Sequence, residues 1–330
     1  MGNLPRSRVT PGRPFLHTGV DYVGPFQIRT SKGRGHRAYK GFIAVFVCLC
    51  TRAVHLELAS DYTTEAFLAA FRRFTSRRGL CTDLYSDCGT NFIGADRELR
   101  KLFQGSTSDG RRIAHITSSQ GVRWHFNPPA APHFGRLWEA AVKSTKHHLR
   151  RIIGEATLTF EEFSTFLTQV ETCLNSRPLH ALSDDPDDFT ALTPGHFLIG
   201  APLLAVPEPS RTEQRDTHIS RWQLVQKMRD HFWQRWSREY LHGLTFRPKW
   251  LGPEVAPNIG TLCLLRSETT LPSRWPLARI IKLHPGGDDV VRVVTIRTPT
   301  IELIRPLTKL VLLPSITETS SPTKNRSLVH

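Results

Sequence analysis

The chain has 330 residues, of which 39% are hydrophobic and 22% charged, a globular composition that excludes collagen, coiled-coil and disulfide-rich proteins. The formal charge of +15, from 44 basic and 29 acidic residues, favours a polyanionic partner such as nucleic acid over an acidic small molecule. The longest apolar run, residues 41–50, is half the roughly 20 residues that a membrane-spanning helix needs, so we expect no membrane partner.

Basic residues and cysteines are unevenly placed along the chain. Residues 217–330 have a net charge of +9, against +6 for the first 216 residues, so the last third is the more basic part. The six cysteines, at positions 48, 50, 81, 88, 173 and 263, form no pair of CxxC clips and no regular framework. This favours reduced thiols in an intracellular protein.

The first part of the chain predicts an α/β domain. Residues 1–14, rich in proline, glycine and arginine, are interpreted as a disordered lead-in. After them, periodicity and capping residues predict three strands, then helix, strand, helix, strand and two helices, which is an α/β order. The predicted strands cover 17–26, 41–51, 53–59, 80–86 and 122–126, and the predicted helices cover 63–79, 91–103, 137–153 and 159–176.

The last third predicts a second, smaller domain. Aromatic and apolar residues spaced by three and four predict a long amphipathic helix over 218–241. Four alternating segments then predict a small β-barrel. The predicted domains are therefore a lead-in at 1–14, a core at 15–200, a linker at 201–217, a helix plus barrel at 218–314 and a disordered tail at 315–330.

Three acidic residues are candidate metal ligands. Two Mg²⁺ ions about 4 Å apart need several carboxylates that converge from separate elements. Asp21 lies inside an otherwise apolar strand, where an unpaired carboxylate is unfavourable unless it meets cations. Asp87 ends the fourth predicted strand, at the exit where open α/β sheets place functional groups. Taken alone, each aspartate is more often a turn cap or a satisfied polar residue.

The third candidate, Glu139, stands at the head of a basic stripe. Its predicted helix places Lys143, Lys146, His147 and Arg150 on one face with it. Such a stripe suits a phosphate backbone. The alternative is a solvated helix face with one Glu–Lys pair.

Two further features have open interpretations. The proline-containing segment 127–135 is placed to close over a substrate, or it is a plain connecting loop. Trp124 and Trp138 either stack on nucleic-acid bases or, as large aromatic side chains more often do, pack in the core.

The segments HTGVDYVGPF, YSDCGTNFIGA and PPAAPHFGRLWEAAVKSTK occur in this order and resemble the integrase of Pao/BEL-type long-terminal-repeat retrotransposons. The resemblance covers roughly residues 15–200, and the last third resembles the domain that follows the integrase core in Pao-type polyproteins. It implies a ribonuclease H-like core, with a mixed five-stranded sheet and flanking helices, followed by a small SH3-like β-barrel.

The resemblance also implies a site and a reaction. By it, Asp21, Asp87 and Glu139 are the catalytic D, D, E triad that binds two Mg²⁺ or Mn²⁺ ions. The basic residues on the same predicted helix as Glu139, Lys143 and Lys146 foremost, would contact DNA. The implied function is polynucleotidyl transfer: 3′-end processing with water as nucleophile, then strand transfer by the DNA 3′-hydroxyl into host DNA.

The same resemblance implies the setting of that reaction. The partners would be the DNA ends of the element and the target DNA, acted on by a homo-oligomer in the nucleus. No HxxxH and CxxC pair precedes Phe15, so we expect no zinc site in this chain. The chain looks like the core and C-terminal parts of a longer polyprotein, or a trimmed copy.

Three other functions remain open at this stage. A host-retained, inactive DNA-binding remnant would bind DNA without joining it, although the intact triad argues against this. A hydrolytic nuclease of the same fold, cutting RNA in hybrids, would release products without joining. A structural role would rest on oligomers formed through the aromatic helix predicted at 218–241.

Overall fold

The computed structural model describes residues 10–33, 35, 37–104, 121–126, 132–210, 212, 220–245, 257–267 and 270–313, without the side chains of 102–104, 132–141 and 245. The tail predicted at 315–330 and most of the lead-in predicted at 1–14 lie outside these residues. The chain divides into two compact units: Met1–Ser176 with Pro194–Trp236 and Leu271–Ser273, and Arg177–Thr193 with Ser237–Thr270 and Arg274–His330. The domain boundaries drawn from the sequence remain a prediction.

The first unit is built on a mixed sheet with the order β3-β2-β1-β4-β5, and β6 pairs with the far end of β1. Strands β1, β2 and β3 are antiparallel neighbours, whereas β1, β4 and β5 are parallel. This order and direction are those of a ribonuclease H-like sheet, so the predicted fold class is confirmed. The strands are β1 (His17–Arg29), β2 (Ala38–Cys48), β3 (Val54–Ala59), β4 (Asp83–Ser86), β5 (Arg123–Phe126) and β6 (Leu158–Thr159).

Six helices are described, and the caps of two of them follow from the sequence. Thr63 caps the first helix by accepting the Ala66 N–H, and Gly79, with φ at 81°, ends it. Thr159 and Glu162 form a capping box at the start of the fourth helix. The helices are α1 (Thr64–Arg78), α2 (Thr90–Gln104), α3 (Pro132–Ile153), α4 (Phe160–Asn175), α5 (Pro194–Ile199) and α6 (Arg221–Thr245).

Helix α3 begins five residues earlier than the position 137 predicted from the sequence. Pro132 is its first residue, and proline suits the first helical turn because its fixed φ is helical and no N–H is needed there. The loop predicted over 127–135 is therefore wrong for its last four residues. Residues 127–131 lie outside the described part of the chain.

An aromatic core lies between the sheet and helices α1 and α2. The rings of Phe46 and Phe74 stack at 4.2 Å in nearly parallel planes. Trp124 is buried, and its indole N–H donates to Ser86 Oγ at 2.8 Å, so the core interpretation of this residue is confirmed. The side chain of Trp138 lies outside the described residues.

The second unit contains an antiparallel sheet with the order β12-β11-β10-β9-β13, in which a 3-10 turn, Leu307–Lys309, leads into the last strand. That order is the SH3-like arrangement expected for the last third. A short hairpin, β7 with β8, belongs to the same unit. The strands are β7 (His180–Ala181), β8 (Ala191–Leu192), β9 (Leu262–Leu265), β10 (Leu277–Pro285), β11 (Val291–Arg297), β12 (Glu302–Pro306) and β13 (Leu310–Leu312).

One arginine holds the hairpin segment within the second unit. Arg279 is 2% exposed and donates to the backbone carbonyls of Asp188 at 2.7 Å, Gly260 at 2.7 Å and Ser183 at 2.6 Å. Residues 183–188 are therefore fixed to the sheet. Among the helices of the described ranges, none is both long and apolar enough to cross a membrane.

Candidate active site

The register between two parallel strands brings the two candidate aspartates together. Strands β1 and β4 pair His17 with Asp83 and Gly19 with Tyr85. Extended by two positions, this register sets Asp21 opposite Asp87, and neighbouring strands lie about 4.8 Å apart. Side chains at paired positions of parallel strands point to the same face, so continuation of this register past the end of β4 would put both carboxylates on one side of the sheet.

Alternation along the two strands identifies that side. Val20 and Tyr22 on β1 and Leu84 on β4 belong to the aromatic core under α1 and α2. The residues between them, including Asp21, face the opposite side, where helix α3 packs against β1 and β2. Asp21 is about one-quarter exposed, and Asp87, one residue beyond β4, is exposed.

Polar side chains lie close together around Gly89, in the loop that follows β4. A Cβ atom at Gly89 would lie 2.7 Å from Asn91 Oδ1, 3.2 Å from Asp87 Oδ1 and 3.2 Å from the Tyr62 hydroxyl. A larger residue at position 89 would therefore displace these groups. The Gly89 N–H itself donates to Asp87 Oδ1 at 3.1 Å, which orients the carboxylate.

Tyr62 is a site residue that the sequence reasoning missed. Its ring packs on Tyr22 at 5.3 Å and on Phe42 at 5.1 Å, yet it remains 43% exposed. Burial, followed by the nearby charges of Asp87 and Asp21, raises the pKa of the Tyr62 phenol. The hydroxyl thus lies beside Gly89, as Asp87 Oδ1 does. A tyrosine three residues beyond a strand carries no sequence signal of this proximity.

Asp21 has a cationic partner. Lys146 Nζ, on helix α3, donates to Asp21 Oδ2 at 2.6 Å, and the Tyr22 N–H donates to Asp21 Oδ1 at 2.6 Å. The side chains of Lys146 and Asp21 are 24% and 27% exposed. Both oxygens of this carboxylate are therefore engaged. The sequence placed Lys146 in the basic stripe but gave no sign of this ion pair.

Helix α3 carries the remaining predicted residues. Glu139 lies two turns before Lys146 in this helix, and its side chain is outside the described residues. Lys143, His147 and Arg150 are exposed. Of the predicted stripe, these three face solvent and Lys146 turns toward Asp21.

The arrangement around Asp21 and Asp87 suits a hard cation. The two carboxylates can supply oxygen ligands, Asp21 from within β1 and Asp87 from the residue after β4, and an ammonium group already contacts Asp21. Beside them, the Asn91 amide is 3% exposed and makes no hydrogen bond of ordinary geometry with any described residue. The described side chains, which omit Glu139, contain no complete group of three acidic, histidine or cysteine metal ligands.

One family model matches the chain, over residues 220–313: DUF5641, a family of unknown function. No curated protein sequence matches. The match covers the region of helix α6 and the SH3-like sheet, and it leaves the Asp21–Asp87 edge outside.

Solved structures that resemble the chain include retroviral integrases. An intasome of simian T-cell lymphotropic virus in complex with PP2A regulatory subunit B56 gamma has 12% identity and a TM-score of 0.33, covering 96% of this chain and 85% of that one. The HTLV-2 integrase catalytic core domain with magnesium, in a trimeric form, has 14% identity and a TM-score of 0.33, covering 56% and 97%. Its dimeric form has 15% identity and a TM-score of 0.30, covering 49% and 88%. The fold assignment itself rests on the strand order of this chain's sheets.

Proposed function

We propose that the chain is an integrase-like polynucleotidyl transferase that processes the 3′ ends of an element's DNA and joins them to host DNA. The observation that carries this proposal is the parallel register of β1 and β4, whose continuation by two positions sets Asp21 opposite Asp87, together with the cation on Asp21. The motifs around these residues, which resemble Pao/BEL-type retrotransposon integrases, support the element class.

In this proposal Asp21, Asp87 and Glu139 hold two Mg²⁺ or Mn²⁺ ions. Such a pair of ions activates the attacking oxygen and stabilises the leaving 3′ oxygen in an in-line displacement. The Gly89 N–H fixes the orientation of Asp87, and the backbone N–H of Tyr22 does the same for Asp21. These contacts preorganise the carboxylates before substrate arrives, which lowers the reorganisation needed at reaction.

The DNA would lie along the exposed face of helix α3. Lys143, His147 and Arg150 are spaced to contact successive phosphates, and the net charge of +15 adds sequence-independent attraction that weakens as salt rises. Joining two DNA ends requires two sites, so the proposal includes a homo-oligomer working on chromosomal DNA in the nucleus.

The test is a strand-transfer assay with a labelled DNA end and a plasmid target, in Mg²⁺ and in Mn²⁺. The wild type should join the DNAs, and Asp87→Asn and Glu139→Gln should each lose at least about 1,000-fold in joining because a metal ligand is removed. Glu155→Gln is the matched control, since Glu155 is an exposed glutamate just beyond helix α3. It should join as the wild type does.

The assay also separates the competing functions. Products that are cut and released without joining would identify a hydrolytic nuclease of the same fold. DNA binding with steep salt dependence, but neither cutting nor joining by the wild type, would identify a DNA-binding remnant. Equal joining by the wild type and Asp87→Asn would refute the assignment of the site.

A further inference from the structure

The ion pair between Lys146 and Asp21 lies at the point where the proposed function requires a divalent ion. The 2.6 Å contact joins Lys146 Nζ to Asp21 Oδ2, and both side chains are about three-quarters buried. Val142, Thr145 and Leu149 on the same helix are buried, so they anchor the backbone from which Lys146 reaches the aspartate. The pair is therefore built into the packing of helix α3 against the sheet.

The ammonium group and a divalent ion compete for this oxygen. Mg²⁺ requires its oxygen ligands at about 2.0–2.1 Å, within the space that the ammonium group now fills. Two cations that close also repel, and partial burial strengthens the repulsion relative to water. The other oxygen, Asp21 Oδ1, already accepts the Tyr22 N–H at 2.6 Å. An ion that binds Asp21 through Oδ2 therefore competes with Lys146 for the carboxylate.

We infer that Lys146 is a positioning residue: a resident counter-ion that holds Asp21 in place until a divalent ion displaces it. This inference rests on the proposed function, because it concerns the same site. The four-carbon stem of lysine is flexible, so the ammonium group can move to a new anionic partner while helix α3 stays in place. The phosphate of a bound DNA end is such a partner, and loading of the ion would then release Lys146 toward the substrate.

The ion pair should lower the affinity of the protein for a divalent ion even in the absence of DNA. In the wild type the ion competes with Lys146 for Asp21, so its measured affinity is lowered by the strength of the ion pair. Removal of the ammonium group removes the competitor. A residue that carries the same charge nearby, but does not touch Asp21, should change the affinity much less.

The experiment is Mn²⁺ binding by the full-length chain without DNA, measured by the electron paramagnetic resonance signal of free Mn²⁺. Lys146→Met should bind Mn²⁺ about 5- to 10-fold more tightly than the wild type, as expected for loss of a partly buried ion pair. Lys143→Met removes the same charge one turn earlier, from an exposed residue, and should stay within about twofold. Asp21→Asn identifies the site, because it should abolish the binding that the other variants share.

Each alternative result would overturn the inference in a different way. Equal affinity of the wild type and Lys146→Met would overturn the inference while leaving the proposed function standing. An equal gain for both lysine variants would overturn it too, since general electrostatics would then suffice. Mn²⁺ binding that survives in Asp21→Asn would place the ion elsewhere. If no protein binds Mn²⁺, the inference and the two-metal proposal fall together.

A second variant guards against a folding artefact. Lys146→Arg retains the positive charge beside Asp21 and should remain as weak a Mn²⁺ binder as the wild type. Circular dichroism melting curves confirm that each variant is folded. Tight binding by folded Lys146→Arg would contradict displacement of a resident cation.

Discussion

Two groups of carboxylates in the first unit differ in how completely they are neutralised. Glu57 and Glu171 are buried on either side of His55, which is itself fully buried. Asp21 and Asp87 form the second group. The contacts described above give this group one ammonium group, that of Lys146, which pairs with Asp21. The first group is enclosed by its own chain, and the second is open to ligands from outside.

The buried group is saturated with partners. Arg73 Nε donates to Glu57 Oε2 at 2.7 Å, and Arg77 also pairs with Glu57. Glu171 accepts the Leu56 N–H at 3.0 Å and pairs with Arg78. Three arginines therefore form ion pairs with the two carboxylates.

The difference shows how acidic residues can be sorted into structural and functional ones. A carboxylate surrounded by guanidinium groups stabilises the fold and has no oxygen to offer. Asp21 and Asp87 are held by backbone N–H groups and, for Asp21, by one lysine, whose flexible side chain a metal ion can replace. By this criterion we propose that Asp87 and Asp21 are binding residues and that Glu57 and Glu171 are structural.

The largest expected contrast is between Glu171→Gln and Asp87→Asn in stability. Glu171→Gln leaves Arg78 without its charge partner in a largely buried place and should lower the free energy of unfolding by about 3 kcal/mol. Asp87→Asn should change it by no more than about 0.5 kcal/mol, because the side chain is exposed. Urea unfolding followed by tryptophan fluorescence measures both. A similar loss for the two variants would remove the distinction between the groups.

The protonation state of His55 sharpens the same comparison. Its Nε2 lies 3.0 Å from Glu57 Oε1, and Arg78 Nε lies 3.3 Å from its Nδ1 as a donor. Nδ1 also lies 3.3 Å from Glu171 Oε1. The contacts with Glu57 and Arg78 fit a neutral ring that donates through Nε2 and accepts at Nδ1, whereas the contact with Glu171 fits a ring that donates at Nδ1. Burial lowers the pKa of His55, and Arg78 and Arg77 add to this, while Glu171 opposes it.

Acidification should therefore weaken the wild type through His55. The unfolded chain takes up a proton near the ordinary histidine pKa of about 6.5, and the folded chain does so only at lower pH. Stability is thus complete above that pH and falls as the pH is lowered from it toward the folded pKa, by at most about 1.4 kcal/mol per pH unit. Unfolding of the wild type and His55→Gln, compared at pH 7.5, 6.5 and 5.5, isolates this contribution. A stability difference that is constant with pH would show that folding leaves the pKa of His55 unchanged, and a wild type that gains stability over His55→Gln as the pH falls would show that His55 is charged in the folded protein.

Much of the fold follows from local sequence signals. Thr63 and Gly79 bound α1 as predicted, because capping and a left-handed C-cap are decided within one helical turn. Asp87 was expected at a strand exit because a strand that ends in a polar turn is visible in the sequence. Placing Asp21 beside it required only the parallel pairing of the ribonuclease H-like order.

The remaining features depend on contacts between distant residues. Lys146 and Asp21 are 125 positions apart in the sequence. The rotation of helix α3 on the sheet determines which side chain Lys146 contacts. Arg279 and Ser183 are 96 positions apart in the sequence. Their hydrogen bond joins the β7–β8 hairpin, which the sequence assigned to the core at 15–200, to a sheet that it assigned to the domain at 218–314. No local pattern encodes such pairings, which is why the sequence placed Lys146 in the basic stripe but did not predict its contact with Asp21.

The smallest expected effect concerns thiol reactivity at the open edge. Cys88 follows Asp87 and is exposed, whereas Cys81 and Cys173 are buried and burial raises the pKa of each thiol to about 12. Because the thiolate is the reactive form, iodoacetamide at pH 8 should label Cys88 at least about 100-fold faster than either buried thiol. Peptide mass spectrometry measures the rates, and Cys88→Ser is the control. Comparable labelling of Cys173 in the folded protein would show that the core opens as readily as the edge, which contradicts the division into enclosed and open groups.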